Sequence, residues 1–521
     1  MTWLLREYRA DGPRYHPGQS IIRRTTFYRD LGDPTLRRLS TGIPQLDIIL
    51  GGGLPVGSLI VVAGAPGTGK TILAEQICFA NASAEHKAVY YSTISEPPEK
   101  FISHLQIFDF FDRDALVERV EFINLGDLLQ TDPRGLTAIT DEIFRKCFEE
   151  QPAVVVVDSA KALRDFGGGE RSLRAAIYQL AARIAHTDTT LIFVGEYGPN
   201  EIQSAPEFSL ADGILELVYE SHQPMDRRWL RVRKLRSSKH LSGQHPLYIN
   251  ESGINLFVRA ETLGELDGGP EPVGRISIGV SELDEMTNGG FPSGSSTLVL
   301  GPSGCGKTAL ALRFIVQGLE EGGRCLYVTF QENPGQLARK AASFGWDLAP
   351  FIASGQLTIS HVTESSLDLD IVASVVREEL AKGSLDRMVI DSLAEMVMAA
   401  RESDRFPAFA RSLLGSLRAA GTSVLTTSET SSLGPTTDSI GGLSFLYHNV
   451  VLLRYFEWQS EVGRAIAILK MRNSGHEKGL RAFAISDSGF RVLGKLEGAT
   501  GLLGWSALTG QEAQAGTPNR T

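Results

Sequence analysis

The sequence predicts an α/β protein made of two tandem copies of one domain, each with a mostly parallel central sheet and helices on both faces. Three observations carry this. Landmark residues recur at a nearly constant offset. Apolar runs of four to six residues alternate with stretches of helical periodicity. A glycine-rich loop stands between strand and helix at matching places in each copy.

The offset comes first, because an internal repeat decides how everything else is read. The stretch STGIPQLDIILGGGLPVGS faces SIGVSELDEMTNGGFPSGS, with Asp47 and Asp284, Pro55 and Pro292, and Gly57 and Gly294 each 237 residues apart. Lys70 and Lys307 differ by the same 237, Asp158 and Asp391 by 233, Lys234 and Lys470 by 236, and Gly253 and Gly489 by 236. A unit of roughly 225 residues is far longer than a solenoid repeat and has the size of a whole domain. The expected boundaries are an N-terminal extension at 1–34, a first domain at 35–258, a polar Gly/Pro-rich linker at 259–271, a second domain at 272–492 and a small polar tail at 493–521.

Within each copy, SLIVVAG, AVYYST, AVVVVDS and TLIFVGE read as buried strands, matched by STLVLG, CLYVTF, RMVIDS and SVLTTSE. Unbroken apolar runs of this kind suit a parallel sheet covered on both faces. RGLTAITDEIFRKCFEE and LDIVASVVREELAKG carry the helical period between them.

Composition narrows the class. Apolar residues make up 42% and charged residues 21%, as in ordinary globular proteins, and the formal charge is −10. An acidic balance argues against a dedicated nucleic-acid binder, which normally carries a basic excess. The one basic candidate is the N-terminal arm with Arg6, Arg9, Arg14, Arg23, Arg24 and Arg29, for which a solvated tail is the preferred reading. The four cysteines, Cys78, Cys147, Cys305 and Cys325, form no CxxC pair, so neither a disulfide framework nor a zinc site is expected. No run approaches the ~18 apolar residues of a membrane span. The first residues are charged where a signal peptide needs an apolar stretch. The expected location is the cytoplasm.

The loops hold the chemistry. Gly64, Ala65, Pro66, Gly67, Thr68, Gly69, Lys70 and Thr71 match the P-loop pattern GxxxxGK[ST]. So do Gly301, Pro302, Ser303, Gly304, Cys305, Gly306, Lys307 and Thr308. Each loop follows a predicted strand and opens a helix, the context the motif requires. Glycines let successive amides turn toward a phosphate, and the helix N-terminus adds positive potential. Lys70 and Lys307 are expected to reach the outer phosphates of ATP, and Thr71 and Thr308 to bind Mg²⁺ with Asp158 and Asp391 at the ends of the third strands. The alternative for each Asp is a helix cap.

Turnover needs a group that positions or deprotonates the nucleophile. Aligning YYSTISEPPEK with YVTFQENPGQL sets Ser95–Glu96 against Gln331–Glu332, so Glu96 and Glu332 are the shared carboxylates. Glu196 and Glu429 also correspond, either as γ-phosphate sensors or as turn acids. Lys234 with Arg236, and Lys470 with Arg472, lie two apart on predicted strands and so share a face. Two such cations suit a γ-phosphate, including one on a neighbouring subunit.

Taken together, the doubled P-loop, GGLPVGS and GGFPSGS, both Asp-Ser ends, and KLRSSKH with KMRNSGH followed by GIN and GF resemble the KaiC family of RecA-like ATPases over about 35–492. The resemblance implies a double-ring homohexamer with ATP and Mg²⁺ at subunit interfaces. It implies ATP hydrolysis in the N-terminal ring and phosphate transfer to the chain's own Ser and Thr in the C-terminal ring. It further implies that Lys234/Arg236 and Lys470/Arg472 approach ATP from the adjacent subunit. Two departures stand out. The family's paired acids are here Ser95–Glu96 and Gln331–Glu332, so the first acid is replaced twice. Ser444 matches the first phosphoacceptor, whereas Phe445 replaces the neighbouring Thr. The resulting expectation is an ATPase with serine autokinase activity on Ser444, acting as a signalling or timing switch with protein partners. The other readings are a nucleic-acid-dependent ATPase and a slow ATP-binding regulatory scaffold.

Overall fold

The computed structural model describes residues 37–93, 98–125, 134–166, 170–221, 226–263, 274–363, 368–399, 405–430, 443–458, 461–487 and 489–496. The N-terminal arginines and Glu96 lie outside these residues. Two nine-stranded sheets with the same strand order account for the architecture. In the first the order is Gly253–Leu256, Gln244–Asn250, Arg227–Leu235, Gly213–Glu220, Leu59–Gly64, Thr190–Glu196, Val154–Asp158, Ala88–Ser92, Val120–Asn124. The second reads, in the reverse sense, Leu357–His361, Cys325–Thr329, Arg387–Asp391, Ser423–Glu429, Ser296–Gly301, Asn449–Trp458, Glu461–Met471, Arg481–Ser486, Gly489–Lys495.

Six strands of each sheet, the P-loop strand among them, run parallel. Side chains alternate across a strand, so a sheet covered twice needs every position apolar. Leu59, Val61 and Ala63 enter one core cluster while Ile60 and Val62 enter the other. Val299 and the pair Leu298 and Leu300 divide in the same way in the second copy. Each buried Leu or Ile of this kind contributes roughly 1.5–3 kcal/mol.

The last three strands of each copy are antiparallel, added as hairpins. A bulge interrupts each first hairpin at the same place. Ile214 pairs Lys234 but Leu215 pairs Val232, and Val450 pairs Lys470 but Val451 pairs Ile468. The extra residue re-aims the chain just where each cation pair begins.

The segment after the first sheet is docked on the second unit. Ala260–Leu263 form a 3₁₀ turn whose Ala260 amide donates to Asp370 Oδ1 at 3.3 Å, while Ser412 Oγ donates to Ala260 O at 2.8 Å. Arg405 Nε donates to Glu261 Oε1 at 2.7 Å and NH2 to Asp370 Oδ2 at 2.5 Å.

His245 sits fully buried just before this turn and accepts the Arg259 amide on Nδ1 at 3.2 Å. Burial pushes its pKa down to about 4. Protonation at Nδ1 would also break that bond. A lowered folded-state value means that stability is present in full above the unfolded value near 6.5 and is lost as pH falls toward 4. Urea denaturation is expected to show about 2 kcal/mol lost from this group between pH 7 and pH 5, a slope that His245→Gln should flatten.

Candidate nucleotide sites

The two loops take the same form. Helices Lys70–Asn81 and Lys307–Glu320 open directly after Gly69 and Gly306, whose φ values are 98° and 113°. Only glycine adopts such angles without strain. A Cβ at Gly69 would also stand 2.8 Å from Ile249 Cδ1, and one at Gly306 2.4 Å from Ile485 Cδ1. Neither helix has a side-chain cap at its N-terminus. Its first-turn amides are therefore left to an anion.

Both lysines fold back onto their own loops. Lys70 Nζ donates to Ala65 O at 2.8 Å, and Lys307 Nζ to Gly301 O and Pro302 O at 2.8 and 2.9 Å. Burial pushes the Lys70 ammonium down, against the opposing pull of Glu196 and Asp158. A phosphate would replace weak carbonyl contacts with charge-assisted bonds.

Both Asp residues stand beside their cradles. Thr71 Oγ1 donates to Asp158 Oδ2 at 2.7 Å and Thr308 Oγ1 to Asp391 Oδ2 at 2.9 Å. Burial raises Asp158, while hydrogen bonds from Thr71 and Tyr90 and the charge of Lys70 oppose it. A hydroxyl and a carboxylate in contact beside a phosphate cradle are a hard-oxygen donor set of the kind Mg²⁺ takes. Both Asp-Ser peptide bonds are cis. Glu196 and Glu429 pair in register with Gly64 and Gly301, so each ends its strand alongside its own loop.

Around the first loop a cleft of about 1420 Å³ is lined by Lys70, Thr71, Asp158 and Glu196, and also by Arg228, Lys161 and Arg164. Arg228 Nε donates to Gly67 O at 3.1 Å. Sequence reasoning passed over Arg228, although its hairpin partner Tyr219 and the second-copy pair Tyr455 and Arg464 repeat it at an offset of 464 − 228 = 236. It also passed over Tyr90 and Tyr327, at the offset 327 − 90 = 237. Both are buried, and their hydroxyls donate to Asp158 Oδ2 at 2.9 Å and Asp391 Oδ2 at 2.8 Å. They orient the carboxylates from behind. The signal was there in the shared offset, hidden inside runs that read as core.

The cation pairs stand elsewhere. Lys234 and Lys470 are the penultimate residues of their strands, and Arg236 and Arg472 lie just past the ends. The Arg472 amide bonds His448 O, and the His448 amide bonds Ser296 O. Ser296 is at the start of the strand that ends at Gly301, so Arg472 is about 16 Å along the sheet from its own cradle. In the first copy Arg236 NH1 pairs with Asp212 at 3.1 Å. His448 occupies the equivalent place in the second copy. There Lys470 Nζ donates to Ser444 O and Tyr447 O at 3.0 and 2.8 Å, and Arg472 NH2 to Phe445 O at 2.7 Å. Among the described residues neither cation has a carboxylate partner. Ser444 itself is exposed, in the 3₁₀ turn Leu443–Leu446.

Gln331 Nε2 donates to Glu395, which also accepts from Ser392 Oγ, while Glu332 is paired with Lys340.

Two glycine-rich anion cradles at strand ends, each with a lysine and a hydrogen-bonded Asp–Thr pair, define a tandem P-loop nucleotide-binding protein. The family model for the KaiC ATPase matches residues 39–261 and 276–497. The chain belongs to the KaiC ATPase family. It is 29% identical over 475 residues to the circadian clock oscillator protein KaiC of Parathermosynechococcus lividus, covering 88% of this chain and 86% of that protein. It is 28% identical over 499 residues to the KaiC of Thermostichus vulcanus, covering 93% and 92%. It is 28% identical over 468 residues to that of Synechococcus elongatus, covering 87% and 88%. Among the described residues no helix is long and apolar enough to cross a membrane. All four cysteines are buried free thiols.

Proposed function

We propose that both cradles bind ATP with Mg²⁺, that the chain hydrolyses it, and that the second site also transfers phosphate to Ser444 of a neighbouring copy. One observation supports the transfer above others. The cations that stand too far from their own cradle grip the main chain of the turn that carries Ser444. A neighbour's γ-phosphate attracting Lys470 and Arg472 would therefore draw the Ser444 hydroxyl toward it. The sites are then completed by a second copy, in a closed homo-oligomer such as a hexamer.

The chain's own parts have distinct tasks. Main-chain amides of the cradle and Lys70 or Lys307 hold the phosphates. Thr71 with Asp158, and Thr308 with Asp391, would hold Mg²⁺, which would supply positive charge to offset that of the phosphates. Tyr90 and Tyr327 keep the carboxylates turned to the metal. The relatives are named as clock oscillator proteins, which makes a timing or signalling switch the class of output proposed here.

Lys70→Ala and Lys307→Ala are each expected to weaken ATP at the altered site about 10–100-fold, since a hydrogen bond to a charged group is worth about 1.5–3 kcal/mol. Equilibrium binding of labelled ATP checks this. After incubation with Mg-ATP, phosphopeptide mapping should place phosphate on Ser444, and native mass measurement should show an ATP-dependent oligomer. An unmodified Ser444 removes the kinase half, and unchanged nucleotide affinity in both variants removes the reading altogether.

A further inference from the structure

We propose that Glu395 is the proton acceptor of the second ATP site, the role left open where Gln331 stands. This rests on the reading of that cradle as a site of ATP turnover.

The placement is the first argument. Strands Cys325–Thr329 and Arg387–Asp391 are parallel neighbours in register, Thr329 beside Asp391. Phe330 N donates to Asp391 O at 3.2 Å, so Gln331 leaves the sheet directly beside the metal-side carboxylate. Glu395 reaches this point from the following helix, Leu393–Ala399. One oxygen accepts from Gln331 Nε2 and the other from Ser392 Oγ. Glu395 thus bridges the ends of two neighbouring strands, one of which ends at Asp391, the hydrogen-bond partner of Thr308. Glu332, the remaining carboxylate of the loop, is occupied by Lys340.

The second argument is divergence between the copies. With the 233-residue offset of Asp158 and Asp391, the first-copy counterpart of Glu395 is Ala162. The same surface in the first copy carries Lys161 and Arg164 along the cleft, where the second copy has Ala394 and Val397. One site has gained cations there and the other a carboxylate. Cations favour holding a polyphosphate, and a carboxylate favours deprotonating what attacks it.

The step balances without any further reagent. A water oxygen forms a bond to the γ-phosphorus. The bond from that phosphorus to the bridging oxygen breaks, and ADP leaves with those electrons. The proton of the water passes to the Glu395 carboxylate and then to solvent. Gln331 and Ser392, both donors to Glu395, are positioning residues that hold the carboxylate in orientation.

The test uses the full chain with the first cradle silenced by Lys70→Ala. In that parent, Glu395→Gln is expected to lower ADP release about 100-fold or more, the usual worth of a positioned general base. Affinity for a fluorescent ATP analogue with Mg²⁺ should stay within about threefold, and the acidic limb of the pH–rate profile should vanish. The double variant Gln331→Glu, Glu395→Gln moves the carboxylate across the hydrogen bond and should regain at least about tenfold of the loss. Glu395→Asp, which keeps the charge and shortens its reach, should fall between parent and Glu395→Gln. An unchanged rate and pH profile in Glu395→Gln overturns the proposal, as does a parent with no turnover. Lys307→Ala separates the two readings. If it abolishes turnover while Glu395→Gln does not, only the role of Glu395 fails. If neither changes the rate, the second cradle is not the site of turnover.

Discussion

Arg472→Ala is expected to lower turnover at the second site by about 10³–10⁵-fold, the range of a cation supplied to a phosphoryl-transfer site in trans. ATP binding to the same chain's cradle should barely change. The geometry gives the reason. Arg472 is level with Ser296, at the start of the strand whose far end is the cradle. An arginine side chain cannot bridge that length of sheet. Yet it has no carboxylate partner among the described residues, unlike Arg236 on Asp212. Its neighbour Lys470 is pushed below its ordinary value by burial and then by the charge of Arg472. Two cations left so close together gain by meeting an anion, such as the γ-phosphate of a neighbouring copy. Mixing gives the check. Arg472→Ala chains retain a cradle, and Lys307→Ala chains retain the cations. Combined, they should recover turnover at the interfaces that pair an intact cradle with an intact arginine. No recovery on mixing would mean that Arg472 acts within its own chain or not at all.

Arg405→Ala should destabilise the second unit by about 3–5 kcal/mol, because it strands one fully buried carboxylate and a second that is mostly buried. Asp370 is fully buried, and the Arg405 and Glu261 side chains are 10% and 19% exposed. Against the cost of burial, Glu261 and Asp370 hold the Arg405 guanidinium above its ordinary value, so it stays charged. The same three side chains fasten the turn that leads out of the first unit. The loss should therefore have two signs: a lower urea midpoint, and faster proteolysis within 259–273. Adding Asp370→Asn to Arg405→Ala should recover part of the stability, since one uncompensated charge is gone. A cost below about 1 kcal/mol would place this cluster with ordinary surface pairs.

Much of this was legible before any coordinates. The strands read as unbroken apolar runs are the buried ones, since a parallel sheet covered on both faces admits no alternation. The two loops announced themselves because an anion cradle is made by consecutive residues, with glycine where φ is positive and lysine at the helix start. Asp158 and Asp391 were visible for a related reason, each closing a run whose direction the neighbouring motif sets. The constant offset then turned single matches into pairs. All of these features are local, or are compared with a copy of themselves.

What depended on strand order was not legible. Gln331 and Glu395 are 64 residues apart and meet only because their strands lie side by side. Tyr90 and Tyr327 read as core until the register put their hydroxyls behind Asp158 and Asp391. The spacing of Lys470 and Arg472 marked a shared face, but only the sheet's direction showed that the pair stands at the end away from its own cradle. Glu261 looked like one more polar linker residue, and packing made it a partner of a buried arginine. Consecutive residues carry their geometry in the backbone they share. Residues that meet across a sheet acquire theirs from which strands become neighbours, and that choice is made by burial of the whole apolar surface rather than by any one segment of the chain.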